Sequence, residues 1–357
     1  MTPLPGDPAP MFKAASASNP TYALDTAAGR YLVLAIVSGA DEATIRGAIE
    51  LAAKARGRFD DVHASFFGVV PDTPQWREAC QDDLPGVRWL FDAGGKAAEL
   101  YGATQEARWV LIDPTLRILS LSGAEGAARL LDEVGRLPAP DLHAGPNIFA
   151  PVLAVPRIFE PAFCKALIDH YEAQGGEPSG FMREIDGVTR LMMDDRHKRR
   201  SDAYLEEGDL KTQARARILR RLVPQIEKAF QYKPTRMERY LIGCYDADSG
   251  GWFRPHRDNT TKGTAHRRFA VSINLNADFD GGDLRFPEYG ARTYRPTIGG
   301  AVVFSCSLLH EATPVTRGRR FAFLPFLYDE EAAQIREANA GFLEPGLGEY
   351  RAGPSAA

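Results

Sequence analysis

The residues of this chain most able to do chemistry are a histidine and an aspartate two positions apart, His256 and Asp258, in the segment GGWFRPHRDNTTKG. They follow a predicted strand, ERYLIGCY at 238–245, and a glycine-rich turn. On an extended segment, side chains two positions apart point to the same face. The imidazole and the carboxylate can therefore bind one metal ion, whereas Arg257 between them is predicted to point away.

A metal site of this kind needs a third ligand, and the candidate is His310. It follows the apolar run AVVFS at 301–305, which predicts another strand. Two histidines and one carboxylate form the facial triad of non-haem Fe(II) oxygenases, which leaves coordination positions open for a chelating cosubstrate and dioxygen. The pattern therefore predicts that His256, Asp258 and His310 are the metal ligands and hence the catalytic residues.

A cosubstrate that chelates iron as a 2-oxo acid directs its distal carboxylate away from the metal, where a cation has to meet it. Arg320 lies ten residues after His310, in the predicted strand RRFAFLPF at 319–326. A guanidinium is the group best suited to bidentate carboxylate binding. Because side chains alternate along a strand, Arg319 and Arg320 face opposite ways and one of them points inward. Arg320 is the predicted cosubstrate-binding residue.

Length and composition limit what can surround these residues. The chain has 357 residues, which favours two domains, and its 44% hydrophobic and 25% charged residues are ordinary for a globular protein. A net charge of -4 argues against nucleic-acid and anionic-membrane partners. The first residues lack a basic segment followed by an apolar run, and no stretch of about 18 apolar residues occurs. We therefore expect a cytoplasmic protein.

The likeliest break between domains lies in LPAPDLHAGPNIFAP at 137–151, which is rich in proline. We predict a linker at 139–150 between a first domain at 1–138 and a second at 151–330, with a C-terminal helix and tail at 331–357. Upstream, the apolar runs at 31–38 and 63–70 flank a helical segment and predict a βαβ unit. With two further strands, at 108–113 and 117–122, this predicts an α/β sandwich of thioredoxin type.

The first domain resembles the peroxiredoxins in PGDPAPMF at 5–12, LFDAGGKAAELYGA at 90–103 and WVLIDPTLRI at 109–118. The family carries its peroxidatic cysteine shortly after the first long strand, and here that region, 37–47, contains no cysteine. The thiolate is the nucleophile in peroxidase chemistry. The resemblance therefore implies a peroxiredoxin-like fold without that activity, with Cys80 as the alternative reactive thiol.

Downstream of the linker, 159–174 and 210–230 have helical periodicity, and short strands bounded by turns follow from 238 onward. This pattern predicts an α+β jelly roll, or double-stranded β-helix, with flanking helices. The basic run RHKRR at 196–200 favours a solvated loop over a cover for the site or a binding site for an acidic substrate. The cysteines are predicted to be reduced, buried thiols, since they lack C-x-x-C spacing.

The order H-x-D, His310 and then PVTRG at 314–318 leading to Arg320 resembles the Fe(II)- and 2-oxoglutarate-dependent dioxygenases, and among them the prolyl 4-hydroxylase-like branch. Segments 150–168 and 273–290 support the resemblance, which spans about 148–330. It implies that the hydroxyl of Tyr245 binds 2-oxoglutarate. Phe253 stands where the family often has a second tyrosine.

The resemblance implies hydroxylation of a substrate by Fe(II), 2-oxoglutarate and dioxygen, with release of succinate and carbon dioxide and with ascorbate as a helper. The substrate is a peptide or a small molecule, and a prolyl residue is the first hypothesis. A homodimer through the first domain is a further expectation. Two other functions stay open, namely a thiol-based peroxidase or redox sensor using Cys80 and a binding module without turnover.

Overall fold

The computed structural model describes residues 2–347, so the end of the predicted C-terminal tail, 348–357, lies outside the described residues. The chain divides into two compact units. The described parts of 1–150, together with 286–292, form the N-terminal unit, and those of 151–285 and 293–357 form the C-terminal unit.

The N-terminal unit is built on a five-stranded sheet. Two short strands, β1 (Lys13–Ala14) and β2 (Tyr22–Ala23), form a separate pair. The five-stranded sheet consists of β3 (Tyr31–Ile36), β4 (Ala64–Pro71), β5 (Val87–Asp92), β6 (Arg108–Ile112) and β7 (Ile118–Ser122). The order in the sheet is β5-β4-β3-β6-β7, with β3, β4 and β5 parallel and β6 and β7 antiparallel. The predicted βαβ unit is present, but the sequence reading had not assigned β5 as a strand.

The helices of this unit pack on the sheet because their apolar residues recur at helical spacing. They are α1 (Glu42–Lys54), α2 (Pro74–Ala79), α3 (Lys96–Tyr101) and α4 (Ala127–Val134). Helix α1 begins after Asp41, whose side chain accepts a hydrogen bond from the backbone N–H of Thr44 and caps the helix. An N-cap aspartate, Asp41, thus lies in the segment where the peroxiredoxins carry their peroxidatic cysteine.

The four cysteines, Cys80, Cys164, Cys244 and Cys306, are unpaired and buried, as predicted. Cys80 directly follows α2, is 1% exposed and has its pKa raised to about 12 by burial. Burial also raises the pKa of Cys164 and of Cys244, each to about 11. Since the thiolate is the reactive form, none of these side chains is prepared for attack on a peroxide.

We expect the native protein to react with a thiol reagent such as Ellman's reagent at pH 8 far more slowly than the unfolded protein, in which four thiols titrate. The physical reason is that burial both blocks access and disfavours the thiolate. Reaction kinetics with and without denaturant, with peptide mapping of the label, provide the measurement. A fast-reacting thiol that maps to Cys80 and disappears in Cys80→Ser would contradict this expectation and favour the peroxidase alternative.

The C-terminal unit contains two larger sheets. Its strands are β8 (Leu153–Val155), β9 (Glu177–Pro178), β10 (Phe181–Ile185), β11 (Val188–Met192), β12 (Lys198–Arg199), β13 (Ser201–Tyr204), β14 (Arg236–Glu238), β15 (Leu241–Asp246), β16 (Trp252–His256), β17 (Phe269–Asn274), β18 (Asp280–Gly281), β19 (Leu284–Arg285), β20 (Thr293–Tyr294), β21 (Ala301–Ser305), β22 (His310–Ala312), β23 (Val315–Arg317), β24 (Arg319–Phe323) and β25 (Phe326–Tyr328).

Nine of these strands form one sheet, in the order β14-β25-β17-β24-β15-β13-β9, with β21 paired to β17 and β8 paired to β21. Five form another, in the order β12-β16-β22-β19-β20. Strands β10 and β11 form a hairpin, and β18 pairs with β23. The predicted short strands are therefore present, and they pair antiparallel throughout the two larger sheets.

Helices cover one face of the nine-stranded sheet. They are α5 (Pro161–Gln174), α6 (Asp209–Arg217) and α7 (Val223–Phe230), with a π-helical turn (Ile218–Leu222) between the last two, and α8 (Glu330–Ala338) follows the last strand. Alternate residues of the sheet, such as Ile242, Val271 and Phe323, join the apolar core with these helices. The residues between them, including Tyr245, Ser272 and Arg320, face the other way, which gives the unit an interior lined by polar groups.

The β10–β11 hairpin is attached to the end of the described chain. The backbone N–H of Glu344 donates to the carbonyl oxygen of Thr189 at 3.0 Å, and Leu343 forms a bridge with the same residue. The hydroxyl of Thr189 accepts from the N–H of Gly263 at 3.0 Å. At the start of the hairpin, Phe181 packs on His197 with ring centroids 4.2 Å apart.

Among residues 2–347, the helices are all too short or too polar to cross a lipid bilayer.

Candidate metal centre

The three predicted metal ligands come together at the ends of two adjacent strands. His256 is the last residue of β16 and lies directly opposite His310, the first residue of β22, in the antiparallel ladder. Asp258 lies two residues beyond the end of β16, and its backbone N–H donates to the carbonyl oxygen of Cys306 at 2.9 Å. The ladder and this hydrogen bond place the three residues next to one another.

The donor atoms of these residues have the spacing of ligands around one ion. The Nε2 atom of His256 lies 3.5 Å from one carboxylate oxygen of Asp258, and the Nε2 atom of His310 lies 3.2 Å from the other. One donor atom from each of the three lies within 4.8 Å of the other two. Donors bound about 2.1 Å from an ion and at right angles are about 3 Å apart. The residues therefore fit a divalent ion.

Both imidazoles are oriented by the backbone. The Nδ1 atom of His256 is 2.8 Å from the carbonyl oxygen of Arg254, and that of His310 is 3.0 Å from the carbonyl oxygen of Leu308. A carbonyl oxygen only accepts, so Nδ1 carries the proton and Nε2 keeps its lone pair. Such support for metal-binding histidines is typical of built metal sites.

The protonation states also suit a cation. Burial and the neighbouring His310 lower the pKa of His256 to about 4, which leaves the imidazole neutral at pH 7. Burial by itself would raise the pKa of Asp258, but the two histidines and their hydrogen bonds outweigh it and hold the pKa well below its usual range. The site thus presents a neutral imidazole and a carboxylate anion.

Aromatic rings enclose the histidines. Phe253 stacks on His256 with ring centroids 3.5 Å apart, and Phe304 packs edge-on against His310 at 4.6 Å. Phe253 occupies the position where the prolyl 4-hydroxylase-like branch often has a second tyrosine. Apolar walls of this kind exclude water and strengthen electrostatic interactions at the site.

Arg320 points into the interior, as strand alternation allowed. It is 2% exposed, its Nε donates to the side-chain oxygen of Asn274 at 3.1 Å, and its Nη2 donates to the hydroxyl of Ser272 at 2.8 Å. No carboxylate in the described part of the chain forms an ion pair with it. A buried guanidinium held by neutral partners is prepared for an anion that comes from outside.

Arg319 faces the opposite way and forms an ion pair with Glu172 at 2.7 Å, near the surface. The choice between the two arginines, which alternation alone left open, is therefore decided in favour of Arg320 as the inward-facing residue.

Tyr245 is buried beside Arg320, whose guanidinium carbon lies 5.4 Å from the tyrosine ring centroid. Its hydroxyl accepts a hydrogen bond from Nη1 of Arg200 at 3.3 Å. Because the arginine can only donate, the proton of the tyrosine hydroxyl remains available for a carboxylate oxygen. This arrangement is compatible with the predicted role of Tyr245 in cosubstrate binding.

Arg200 was missed by the sequence reading. It is buried and binds both oxygens of Asp202, with Nε at 2.6 Å from one and Nη2 at 2.8 Å from the other. The available signal was Gly243 in the strand LIGCY, since a glycine inside a strand often marks the close approach of another group. A Cβ at Gly243 would lie 2.9 Å from the side chain of Arg200.

The solvated-loop interpretation of RHKRR is wrong for two of its members. Lys198 lies in β12, is 4% exposed, and donates to the hydroxyl of Ser179 and the carbonyl oxygen of Gly180, both at 2.6 Å. Arg200 is buried against Tyr245, whereas Arg196 and Arg199 are exposed. The charge of the run did not predict this burial, because strand alternation turns every second residue of the run inward.

Two other residues of the HRDN segment contact a neighbouring turn. Arg257 donates through Nη1 to the carbonyl oxygen of Ser307, away from the ligand atoms as predicted. Asn259, for which the sequence indicated no role, donates from its amide to the hydroxyl of the same serine at 2.8 Å. Both contacts hold the segment that carries Asp258.

We expect Asp202→Asn to lower the free energy of unfolding by roughly 3–5 kcal/mol at pH 7, because it leaves the buried Arg200 without its charge partner. Burial alone would raise the pKa of Asp202, but Arg200 and its hydrogen bonds lower it to about 2. The stabilisation is thus complete above the ordinary aspartate pKa of about 4 and disappears as the pH falls towards 2.

Urea unfolding of wild type and Asp202→Asn between pH 2 and 7 provides the measurement, and the difference between the two should shrink over the acidic half of that range. Asp280→Asn is the matched control, because Asp280 forms an exposed pair with Arg317 and should leave unfolding nearly unchanged. Equal effects of the two substitutions would contradict a buried role for Asp202.

Comparison with known families matches two separate parts of the chain. Residues 240–328 match the model of the 2OG-Fe(II) oxygenase superfamily, where 2OG is 2-oxoglutarate. This range contains Tyr245, His256, Asp258, His310 and Arg320. Residues 5–124 match the model of the AhpC/TSA family.

Among curated proteins, the chain is similar to PKHD-type hydroxylases. It is 30% identical over 97 residues to one from Synechococcus sp. (strain JA-2-3B'a(2-13)), a match that covers 25% of this chain and 42% of the relative. It is 35% identical over 95 residues to one from Cupriavidus metallidurans, covering 24% of this chain and 42% of the relative. The chain thus spans less than half the length of these relatives.

Among solved structures, a prolyl-4-hydroxylase from Pseudomonas putida aligns with a TM-score of 0.40 at 18% identity, covering 53% of this chain and 95% of its own. A prolyl hydroxylase from Trichoplax adhaerens, solved with a hypoxia inducible factor peptide fragment, aligns with a TM-score of 0.41 at 17% identity, covering 56% and 91%. By these matches, residues 240–328 are similar to the 2OG-Fe(II) oxygenase superfamily, and residues 5–124 are similar to the AhpC/TSA family.

Proposed function

We propose that the protein is an oxygenase that uses Fe(II) and 2-oxoglutarate to hydroxylate a substrate, with release of succinate and carbon dioxide. The observation that carries the proposal is the pairing of two sites in one interior. Two imidazoles and a carboxylate have metal-ligand spacing, and a buried arginine of the same unit forms an ion pair with no carboxylate among the described residues. The family match of residues 240–328 supports it.

In this proposal His256, Asp258 and His310 hold the iron, and their donor set is the one that Fe(II) oxygenases use. When bound, the iron supplies the activation of dioxygen that protein side chains cannot perform. The chain itself supplies oriented imidazoles, a carboxylate anion and apolar walls formed by Phe253 and Phe304.

Arg320 binds the distal carboxylate of 2-oxoglutarate in this proposal. Ser272 and Asn274 hold its guanidinium, and Tyr245 donates its hydroxyl proton to the same carboxylate while accepting from Arg200. Binding here exchanges a buried unpaired cation for a charge-assisted, hydrogen-bonded pair, which is a strong interaction inside a protein.

The substrate is proposed to be a peptide, and a prolyl residue is the first to test, because the relatives in solved structures are named as prolyl hydroxylases. We further propose that the catalytic domain is 151–330 with a double-stranded β-helix core, that the peroxiredoxin-like domain at 1–138 serves docking or dimerisation, and that ascorbate sustains turnover.

The test is anaerobic addition of Fe(II) and 2-oxoglutarate, followed by the visible charge-transfer band of the complex, and then succinate formation in air. Peptide libraries and cell lysate, analysed by mass spectrometry for products heavier by one oxygen atom, identify the substrate. Binding of neither iron nor 2-oxoglutarate would overturn the oxygenase proposal and favour a non-catalytic binding module. Peroxide consumption that is lost in Cys80→Ala would favour the peroxidase alternative.

A further inference from the structure

The interior of the C-terminal unit holds more positive charge than its acidic groups neutralise. Besides Arg320, four cations of this unit are buried or half-buried, namely Lys198, Arg200, Arg239 and Arg267. Two buried carboxylates, Asp202 and Glu238, lie among them. These two carboxylates form ion pairs with some of the cations and not with others.

Two of the cations have full ion pairs. Arg200 takes both oxygens of Asp202, as described above. Arg267 donates from Nε to Glu238 at 2.6 Å, and the same carboxylate also accepts from His266 at 2.9 Å and lies 3.0 Å from a guanidinium nitrogen of Arg336. Each of these carboxylates is therefore already paired with at least one other cation.

Arg239 is left without an anion. In residues 2–347 its guanidinium forms neither a hydrogen bond nor an ion pair, and it lies over the ring of Phe326 at 5.7 Å. The same ring takes the guanidinium of Arg267 at 4.1 Å, and Nη1 of Arg267 donates to the backbone oxygen of Asp258 at 3.3 Å. Phe326 and Arg267 therefore connect Arg239 to the backbone of Asp258, a predicted metal ligand.

The backbone at Arg239 carries strain. Its φ is +63°, in the left-handed region that disfavours a side chain, at the junction of β14 and β15. Burial, and then the nearby charges of Arg267 and Arg200, lower the pKa of Arg239 against the opposing effect of Tyr204 and Asp202. A strained residue with an uncompensated charge persists only where the surrounding fold enforces it, and such residues concentrate at functional sites.

Lys198 is a second buried basic side chain near the predicted metal ligands. Its ammonium has three donors, of which two bond Ser179 and Gly180, and no carboxylate of the described chain pairs with it. It lies 4.9 Å from the ring centroid of Phe253, the ring that stacks on His256. Burial, and then the charges of Arg200 and Arg239, hold the pKa of Lys198 well below its usual range against the opposing effect of Asp202 and Asp258, so a further anion nearby would stabilise its charged form.

We propose that Arg239, assisted by Lys198, binds a carboxylate of the substrate, so that the compound hydroxylated by this site is an acid. The inference rests on the proposed function and narrows its substrate class. A bound Fe(II) and a bound 2-oxoglutarate carry opposite and equal charges, so they leave the surplus at Arg239 and Lys198 in place. The planar guanidinium fork suits a carboxylate. The carboxylate comes either from a free acid or from an aspartate or glutamate side chain of a peptide.

The experiment measures binding without turnover. The protein is loaded with Mn(II) in place of Fe(II) and with saturating 2-oxoglutarate, which occupies the Arg320 site. Probes are added in acid and amide pairs and followed by titration calorimetry. Free glutamate and glutamine, and free aspartate and asparagine, test a free acid. The N-acetyl amides of the same residues test a side-chain carboxylate.

In at least one of these pairs we expect the acid to bind at least about tenfold more tightly than the amide. Arg239→Gln should abolish this preference without weakening the amide, whereas Arg215→Gln, the same charge change on an exposed helical position, should preserve it. The pair that shows the preference identifies the source of the carboxylate. A wild-type protein in which no acid binds more tightly than its amide, including one that binds no probe, overturns the inference.

The two proposals fail separately. If Mn(II) and 2-oxoglutarate do not bind, the proposed function fails, whereas binding of both without a preference for acids refutes the substrate inference alone. A second measurement separates recognition from a structural role. Arg239→Gln should raise the melting temperature of the unloaded protein, since it removes repulsion and no hydrogen bond, and Arg215→Gln should not. A lower melting temperature for Arg239→Gln would show that Arg239 is structural and would contradict the inference.

Discussion

Asp258→Ala should abolish succinate formation that depends on iron and 2-oxoglutarate, with a loss of more than about 100-fold. Loss of a group that merely orients a metal ligand costs roughly 10–100-fold in affinity or activity, and removal of the ligand itself should cost more. Asp258 is also the ligand whose two oxygens face both histidines, so its loss removes the anionic donor of the site.

The measurement pairs succinate formation with iron content after gel filtration. His256→Ala and His310→Ala should behave in the same way. Asp248→Ala is the matched control, because its side chain is exposed in the turn before β16 and should leave both quantities unchanged. Full iron binding by Asp258→Ala would contradict the assignment of the triad.

Arg320→Gln should raise the 2-oxoglutarate concentration needed for half-maximal rate by about 10–100-fold, the range that corresponds to a lost hydrogen-bonded charge of about 1.5–3 kcal/mol. The rate at saturating cosubstrate should change less, because in its proposed role the arginine binds the distal carboxylate and not the groups that chelate the iron. Arg320→Lys should recover only part of the affinity, since an ammonium cannot reproduce the guanidinium fork.

The adjacent residue provides the control. Arg319→Gln removes the same charge one position away, but Arg319 faces outward and pairs with Glu172 near the surface. It should leave the half-saturating concentration of 2-oxoglutarate nearly unchanged. If Arg319→Gln and Arg320→Gln weakened 2-oxoglutarate equally, the assignment of the inward arginine as the cosubstrate residue would be wrong.

The predictable part of the site came from periodicity and spacing. The alternation of RRFAFLPF required that one of two arginines point inward, and the H-x-D triplet with a later histidine specified the ligand types. Pairing of His256 with His310 across two strands could not be read from the sequence, because register depends on contacts between distant segments. The structure adds that register.

The part that could not be predicted concerns charges that the fold buries. RHKRR looks like a solvent-exposed run by composition, yet Lys198 in β12 and Arg200 just before β13 are buried, because alternation along the extended chain turns these side chains inward. Strand β5 was not predicted for a similar reason, since its burial depends on the neighbouring strand β4. Local pattern does not contain that information.

Leu343 and Glu344 attach the last described part of the chain to Thr189 of the β10–β11 hairpin. The hairpin begins at Phe181, which packs on His197, and His197 packs in turn on Phe253 beside the metal ligands. Removing the chain from Ala340 onward would therefore release a tether without touching a ligand or a cosubstrate residue. We expect this truncation to change the rates at which a substrate enters and leaves, and to leave the rate of the chemical step unchanged.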